Sequence, residues 1–348
     1  MTNSAVQESP GLLAEVDEAV SSALAWLQDQ LATRGSRDDV IAHLYRVPYA
    51  LALGGRRVDA ARLLSWMERE VLDSNGDLQP GPMRTAFATK WASYPLAIIA
   101  QAAWHLERYA TAAALLRRLT RFQDVESGGA YAQRPELRTS RRQDLFPTAQ
   151  LGMTALTVGD DAAADGAFRW IANLYEVQPE LPGTLYTATD GVELIVDPDA
   201  VAADSFGLRT RFDSPRQAFY NPGIAAAFLA RFSARRGSTR ARELADSYLA
   251  LTVDGDPLQF DYTDSVQVCK FAWGAASLLD LDPRGGYRRH VERMARWFLN
   301  AQHADGHWQN SAFLLPDGPT VGSNIEVTAE FVQHLTVVST ALAGDQRG

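Results

Sequence analysis

Twelve segments of helical periodicity follow one another along this chain, and they alternate between two kinds. Leu13, Val16, Val20, Leu24, Leu27 and Leu31 fall three and four residues apart, which lays one apolar stripe along a helix. The next segment, 39–54, is apolar and aromatic on most sides. The same alternation then recurs. Amphipathic segments cover about 11–33, 56–73, 107–123, 160–177, 238–253 and 285–302, and segments apolar nearly all round cover about 39–54, 85–105, 146–158, 218–233, 263–281 and 324–343. A helix apolar on every side is surrounded by protein, and one with a polar face borders water. Six outer helices alternating with six inner ones predict an all-α fold, an (α/α)6 toroid. On this reading 11–345 is a single domain behind a flexible 1–10, although 348 residues would otherwise suggest two.

The connections are asymmetric. Passages from an inner to an outer helix are short: Gly54-Gly55, Glu107-Arg108, Gly159-Asp160, 234–239 and 282–286. Passages from an outer to an inner helix are long, at about 74–84, 124–145, 178–217 and 303–323. All connections of one kind lie at one end of a toroid, so one end is trimmed and the other carries the large loops. The loop-bearing mouth, with the N-termini of the inner helices around it, is the expected place of a site.

Composition narrows the partners. A formal net charge of −9 offers no concentrated positive surface, so nucleic acid is not an expected partner. No stretch reaches the roughly 18 apolar residues of a membrane span. Cys269 is the only cysteine, which excludes an internal disulfide and a Cys-rich zinc site. Met1 to Pro10 is polar, without a basic then apolar pattern, and the expected compartment is the cytoplasm. Only two of the 33 basic residues are lysine, Lys90 and Lys270. Both fall on inner helices, each followed by an aromatic residue and alanine.

The ends of the outer helices share a pattern. Phe298-Leu-Asn-Ala-Gln302 is followed by a turn, Gly306, one residue and Trp308. Leu119 to Gln123 leads to Gly129 and Tyr131, and Leu174 to Gln178 leads to Gly183 and Leu185. Gly supplies the left-handed turn that stops a helix, the aromatic folds back, and Gln can bond the exposed helix end. This pattern resembles the QW repeat of squalene-hopene-type terpenoid cyclases and related α/α-toroid proteins. The resemblance is carried best by Phe298 to Trp308, covers the scaffold, and implies the toroid. The Asp-x-Asp-Asp acid motif of such cyclases is absent, the nearest string being Asp197-Pro-Asp199. Asp160-Asp161 with Asp165 sits where an outer helix begins, a place that favours Asp as cap.

The inner helices carry the candidate chemistry. Lys270 and Lys90 fall at equivalent places in the fifth and second repeats. Asp264 lies on the segment of Lys270, and Glu326, Glu330, Gln333 and His334 form a polar stripe on the last inner helix. A buried lysine needs an acid or an anionic ligand, so Lys270, Asp264, Glu330, Glu326 and Lys90 are the candidate catalytic residues. Aligning inner segments on their prolines places His43 and Arg142 at the level of the lysines. With Tyr220, Trp91, Tyr94, Phe146, Phe271, Trp273 and Trp308 they are the candidate substrate-binding residues. Asn221 is expected to cap its helix, with Pro222 in the first turn. No metal and no cofactor is expected. The close pair His303 and His307 is explained by the repeat turn.

Three functions fit these residues. The first, favoured by the resemblance, is a cyclase or isomerase that acts on a hydrophobic terpenoid- or polyketide-like small molecule by acid–base chemistry in an aromatic-lined barrel. The second is a carbohydrate-active enzyme, an epimerase, lyase or glycoside hydrolase on an α/α barrel. The third is a non-catalytic protein that binds a small molecule.

Overall fold

The computed structural model describes residues 10–33, 41–191, 193–201, 206–262, 268–310, 315 and 317–345. The outer helices are α1 (Pro10–Thr33), α3 (Arg57–Trp66, continued by a wide turn Met67–Val71), α5 (Tyr109–Thr120), α7 (Asp161–Glu176), α9 (Thr239–Val253) and α11 (Arg288–Ala301). The inner helices are α2 (Val47–Leu53), α4 (Tyr94–His105), α6 (Leu145–Val158), α8 (Tyr220–Arg236), α10 (Cys269–Leu281) and α12 (Val321–Asp345). Short helices Ile41–Leu44 and Ala86–Lys90 precede α2 and α4.

Each inner helix packs on the next, from α2 through α4, α6, α8 and α10 to α12, and α12 packs back on α2. Each outer helix lies against the inner helix that precedes it, and α1 closes the set against α12 and α11. This is the (α/α)6 toroid. The inner helices are apolar because both flanks and the outer side are covered. In α4, every residue from Tyr94 to Ala103 is buried.

Helix ends follow local chemistry. Asp160 accepts the Ala163 N–H at 3.0 Å and starts α7, while Gly159, at φ +100°, stops α6. Asn221 does not cap α8, which starts at Tyr220; its Nδ2 instead donates to the Gly207 carbonyl, tying in the long loop. The loops hold strands that alternation could not show, because each has only two or three residues and pairs across the chain. Strand β1 (Arg142–Asp144) pairs antiparallel with β3 (Ala188–Asp190), which pairs with β4 (Glu193–Leu194). Strand β2 (Thr184–Tyr186) pairs with β5 (Arg209–Arg211). The 124–145 and 178–217 loops are thereby one layer over the mouth end of α6 and α8.

The repeat pattern has a clear structural role. Gln302 Nε2 donates to the carbonyls of Gly306 (2.8 Å) and Ala19 (2.9 Å), stitching the last repeat to α1. Gln123 does the same to Gly128 and to Ala163 of α7. In these two turns the positive-φ glycines are Gly306 and Gly128, each pressed on the backbone of the next outer helix. The turn glycine of the second copy is therefore Gly128 rather than Gly129.

Candidate functional site

Glu326, Glu330 and His334 fall four residues apart on α12, so all three face the ring axis. Arg46, in the turn between Ile41–Leu44 and α2, meets them from the other side of the closure. Its Nε lies 2.6 Å from Glu326 Oε1 and its Nη2 3.2 Å from Glu330 Oε1. The same Nη2 donates to the Tyr94 hydroxyl at 2.8 Å, and the Tyr45 hydroxyl donates to Glu326 at 2.8 Å. Lys270, at the start of α10, donates to Glu330 in a close ion pair. Gln333 Nε2 fixes the Arg46 carbonyl. Two cations and two carboxylates form a charge-balanced floor across the upper lumen.

Burial opposes ionisation here and the partners overcome it. Burial pushes Lys270 down, but the Glu330 charge more than compensates and the amine is held above its usual range. Burial pushes Glu330 up, but Arg46 and Lys270 hold its carboxyl well below the usual carboxylate range. His334 is different: burial outweighs the pull of Glu330 and lowers it to about 3, so its imidazole is neutral.

Above the floor stands an aromatic wall. Phe146 is its hub, with ring centroids 4.3 Å from Tyr94, 5.3 Å from Trp91 and 5.2 Å from Tyr220. The Lys270 amine lies 5.4 Å from the Phe146 centroid and 5.8 Å from that of Tyr220. Trp91 and Tyr220 are part-exposed, whereas Phe146 and Tyr94 are buried. Gly207 of the long loop sits against both exposed rings, and a Cβ there would come within 2.7 Å of the Tyr220 hydroxyl.

Lys270, Glu326, Glu330, Tyr94, Phe146, Trp91 and Tyr220 are thus brought together. Asp264 lies outside the described residues. Lys90 does not join Lys270: it is exposed at the end of Ala86–Lys90, its amine 5.3 Å from the Trp91 ring. The short helix breaks before α4, so Lys90 misses the inward face that continuous periodicity gave it. Phe271 points the other way from Lys270, into Phe260 and His290. Trp308 is a buried strut, its Nε1 donating to the Phe298 carbonyl, and lines no mouth. Trp273 stacks on His334 below the floor. His43 packs its ring on Gly322 at the start of α12.

Two features were missed from sequence. Arg46 is one basic residue among many arginines; its only signal was a charge inside an all-apolar segment. The other is Asp144, which precedes α6. It is buried, and neither carboxylate oxygen accepts a hydrogen bond. Arg142 Nε lies 3.2 Å from Oδ1 without hydrogen-bond alignment. Burial raises Asp144 to about 6, against the charges of Arg142 and Lys90.

Cys269, Glu330 and His334 bring ligand atoms within 4.8 Å of one another. They do not suit a cation, because Glu330 already serves Lys270 and Arg46, and burial pushes the Cys269 thiol up. Beneath the floor lies a cavity of about 30 Å³ bounded by Arg46, Tyr94, Gln101 and His334, with room for about one water molecule. Its lining continues to Leu53 and Arg231, toward the trimmed end. No described helix is long and apolar enough to cross a membrane.

No family model matches the chain, and no curated protein matches its sequence. Solved structures share its fold. It is similar to a family 76 glycoside hydrolase from a bovine Bacteroides thetaiotaomicron strain, at 13% identity over 94% of this chain and 78% of that one (TM-score 0.60). It is also similar to an inactive variant of an α-1,6-mannanase of Salegentibacter sp. HEL1_6 in complex with α-1,6-mannotriose, at 11% identity over 94% and 99% of the two chains (TM-score 0.63). A third neighbour is a family 76 α-mannanase of Bacteroides thetaiotaomicron, at 11% identity over 94% and 96% (TM-score 0.61). These neighbours are glycoside hydrolases rather than terpenoid cyclases, and the likeness confirms the toroid fold without the cyclase type that the QW-like repeat suggested.

Proposed function

We propose that this protein is carbohydrate-active and that a saccharide binds at the loop-bearing mouth, against Trp91 and Tyr220. The observation that carries this reading is the ionic floor. A cavity that folds a hydrocarbon and shelters a carbocation must be dry and apolar. Here Arg46, Glu326, Glu330 and Lys270 lie directly beneath the aromatic wall. Aromatic rings beside fixed charges and hydroxyls suit a sugar, whose ring faces stack and whose hydroxyls hydrogen-bond. The family 76 neighbours, one of them holding α-1,6-mannotriose, support the same class. Hydrolysis requires an acid and a second carboxylate. Among the described residues, Glu326, whose side chain is 18% exposed, and Asp144 are two carboxyl groups near the wall that are not paired with Lys270.

A second reading, saccharide binding without turnover, is favoured by one observation. Glu330 is held by two cations and is poorly placed to exchange a proton. Calorimetry and product analysis with α-1,6-linked mannooligosaccharides separate these outcomes. The expected result is binding that Trp91→Ala weakens at least about tenfold, the scale of one lost stacking contact. Release of shorter sugars selects the enzyme, and binding without release selects the second reading. Tight binding of a polyprenyl compound with no response to any saccharide would sink both.

A further inference from the structure

A buried carboxylate without a donor is an unstable arrangement, because desolvation is uncompensated. Asp144 comes close to that state: neither oxygen accepts an aligned hydrogen bond or touches water, and the Arg142 Nε, 3.2 Å from Oδ1, is its one ion pair among the described residues. Its backbone is held in place. The Asp144 N–H donates to the Ala130 carbonyl, its carbonyl accepts the Thr148 hydroxyl, and it pairs with Ala188 in the sheet. The Arg142 Nε that faces it is likewise out of hydrogen-bond alignment, and Arg142 is the more exposed of the two, at 20% against 4%. Two residues on from Asp144, Phe146 carries the Trp91 edge. A misaligned carboxylate–guanidinium pair therefore lies two residues along the chain from the ring that supports a part-exposed indole.

We propose that Asp144 and Arg142 are the polar half of a subsite for a neutral saccharide at the mouth, with Trp91 the apolar half. This rests on the carbohydrate-active reading above and names the residues and the chemistry. Two sugar hydroxyls donate to Asp144 once Arg142 swings outward, and Arg142 in turn donates to a hydroxyl oxygen. The ligand is neutral because a uronate carboxylate would face the Asp144 carboxylate, whose place is to accept from hydroxyls. Lys90 and Arg142 are the charged groups that act on Asp144. Hydroxyl donors favour the ionised carboxylate, so the ligand lowers the Asp144 pKa and affinity falls as pH drops through about 6.

The test is calorimetric titration of the full chain with α-1,6-mannotriose between pH 5 and 8, for the wild type, Asp144→Asn and Trp91→Ala. Expected are a weakening of several-fold for the wild type between pH 7 and 5, an affinity loss of at least tenfold for Asp144→Asn at pH 7.5, and a flat pH profile for that variant. Glucuronic acid is expected not to compete. A ¹³C-carboxyl NMR titration of the wild type keeps the question open to test if Asp144→Asn misfolds: the Asp144 midpoint must fall when mannotriose is added. Trp91-dependent binding that is unchanged in Asp144→Asn, or an Asp144 midpoint that ignores the sugar, overturns this subsite and leaves the carbohydrate reading standing. Absence of any saccharide binding by the wild type overturns both.

Discussion

Glu330 is ion-paired with two cations, while Lys270 has one acidic partner among the described residues, and this asymmetry sets what each substitution does. Glu330→Gln strands Lys270 in a buried site and leaves Arg46 with Glu326 alone, and is expected to destabilise by about 3–5 kcal/mol. Lys270→Met leaves Glu330 with Arg46 and is expected to remove only about 1–2 kcal/mol. Urea denaturation measures both, and equal losses would mean that Arg46 does not share the carboxylate. Lys270→Arg places a longer planar group against Phe146 and Tyr220, with an overpacking loss of about 1–3 kcal/mol. The two buried carboxyls respond to pH in opposite senses. The folded Glu330 carboxyl lies below its unfolded range, so its stabilisation is full above about pH 4.5 and is lost as pH falls further. The folded Asp144 carboxyl lies above its unfolded range, so folding is favoured below about pH 4 and that advantage is lost as pH rises through 6. Asp144→Asn is therefore expected to stabilise the protein by about 2 kcal/mol at pH 7.5 and by less than about 1 kcal/mol at pH 4. Equal stabilisation at both pH values would show that Asp144 is not raised by burial.

At the scale of elements, the outer-helix turns act as clamps between repeats. Gly128, at φ +88°, brings its Cα so close to α7 that an added Cβ would lie 2.1 Å from the Gly166 carbonyl oxygen. Gly128→Ala combines left-handed strain with a backbone clash and is expected to lower stability by about 3 kcal/mol or more. A change of less than about 1 kcal/mol would mean that the turn is not clamped. The mouth has its own clamp. Asp77 accepts from Arg118 (2.6 Å), Arg134 and Arg84, and Arg134 also donates to the Ala88 carbonyl at 3.0 Å. This ties the 124–145 loop to the short helix that carries Lys90 and Trp91. Arg134→Ala is expected to speed amide hydrogen exchange in 86–91 at least about tenfold, a local loss near 1.4 kcal/mol, with α10 unchanged. Uniform acceleration along the chain would instead report a global loss of stability.

At the scale of the molecule, the ring has a seam, and α1 closes it. It packs on α11 and α12, and Gln302 and Ser339 bond to Ala19 and Asp17 across it. The floor crosses the same seam, since Arg46 and Tyr45 reach Glu326 over 280 and 281 residues of chain. Closure and site formation are therefore one event. The full chain is expected to unfold in one cooperative transition and a chain starting at Val40, which lacks α1, is expected not to, seen by calorimetry as a calorimetric enthalpy no longer equal to the van't Hoff value. A truncated chain that still melts in one step would show the seam to be dispensable.

Helix type and layer were legible along the chain because being apolar on one side or on all sides is a local pattern, and burial in a toroid follows from it directly. Lys270 was legible for another reason: only two lysines occur, so its position stood out. Arg46 was hidden among the many arginines, and Asp144 looked like any acid before a helix. Nothing local distinguishes a carboxylate with donors from one without, because the donors come from other repeats. Phe271 and Trp308 read as wall residues from their neighbours in sequence, yet a helix turns about 100° per residue and the tertiary fold sends them into the core. The sequence by itself determined a ring of six helical hairpins with its long loops at one end. The charge-balanced floor, the burial of Asp144 and the aromatic wall were decided only in three dimensions: closing the ring brings Arg46 to Glu326 and Glu330, and the packing of neighbouring repeats joins Trp91, Phe146 and Tyr220.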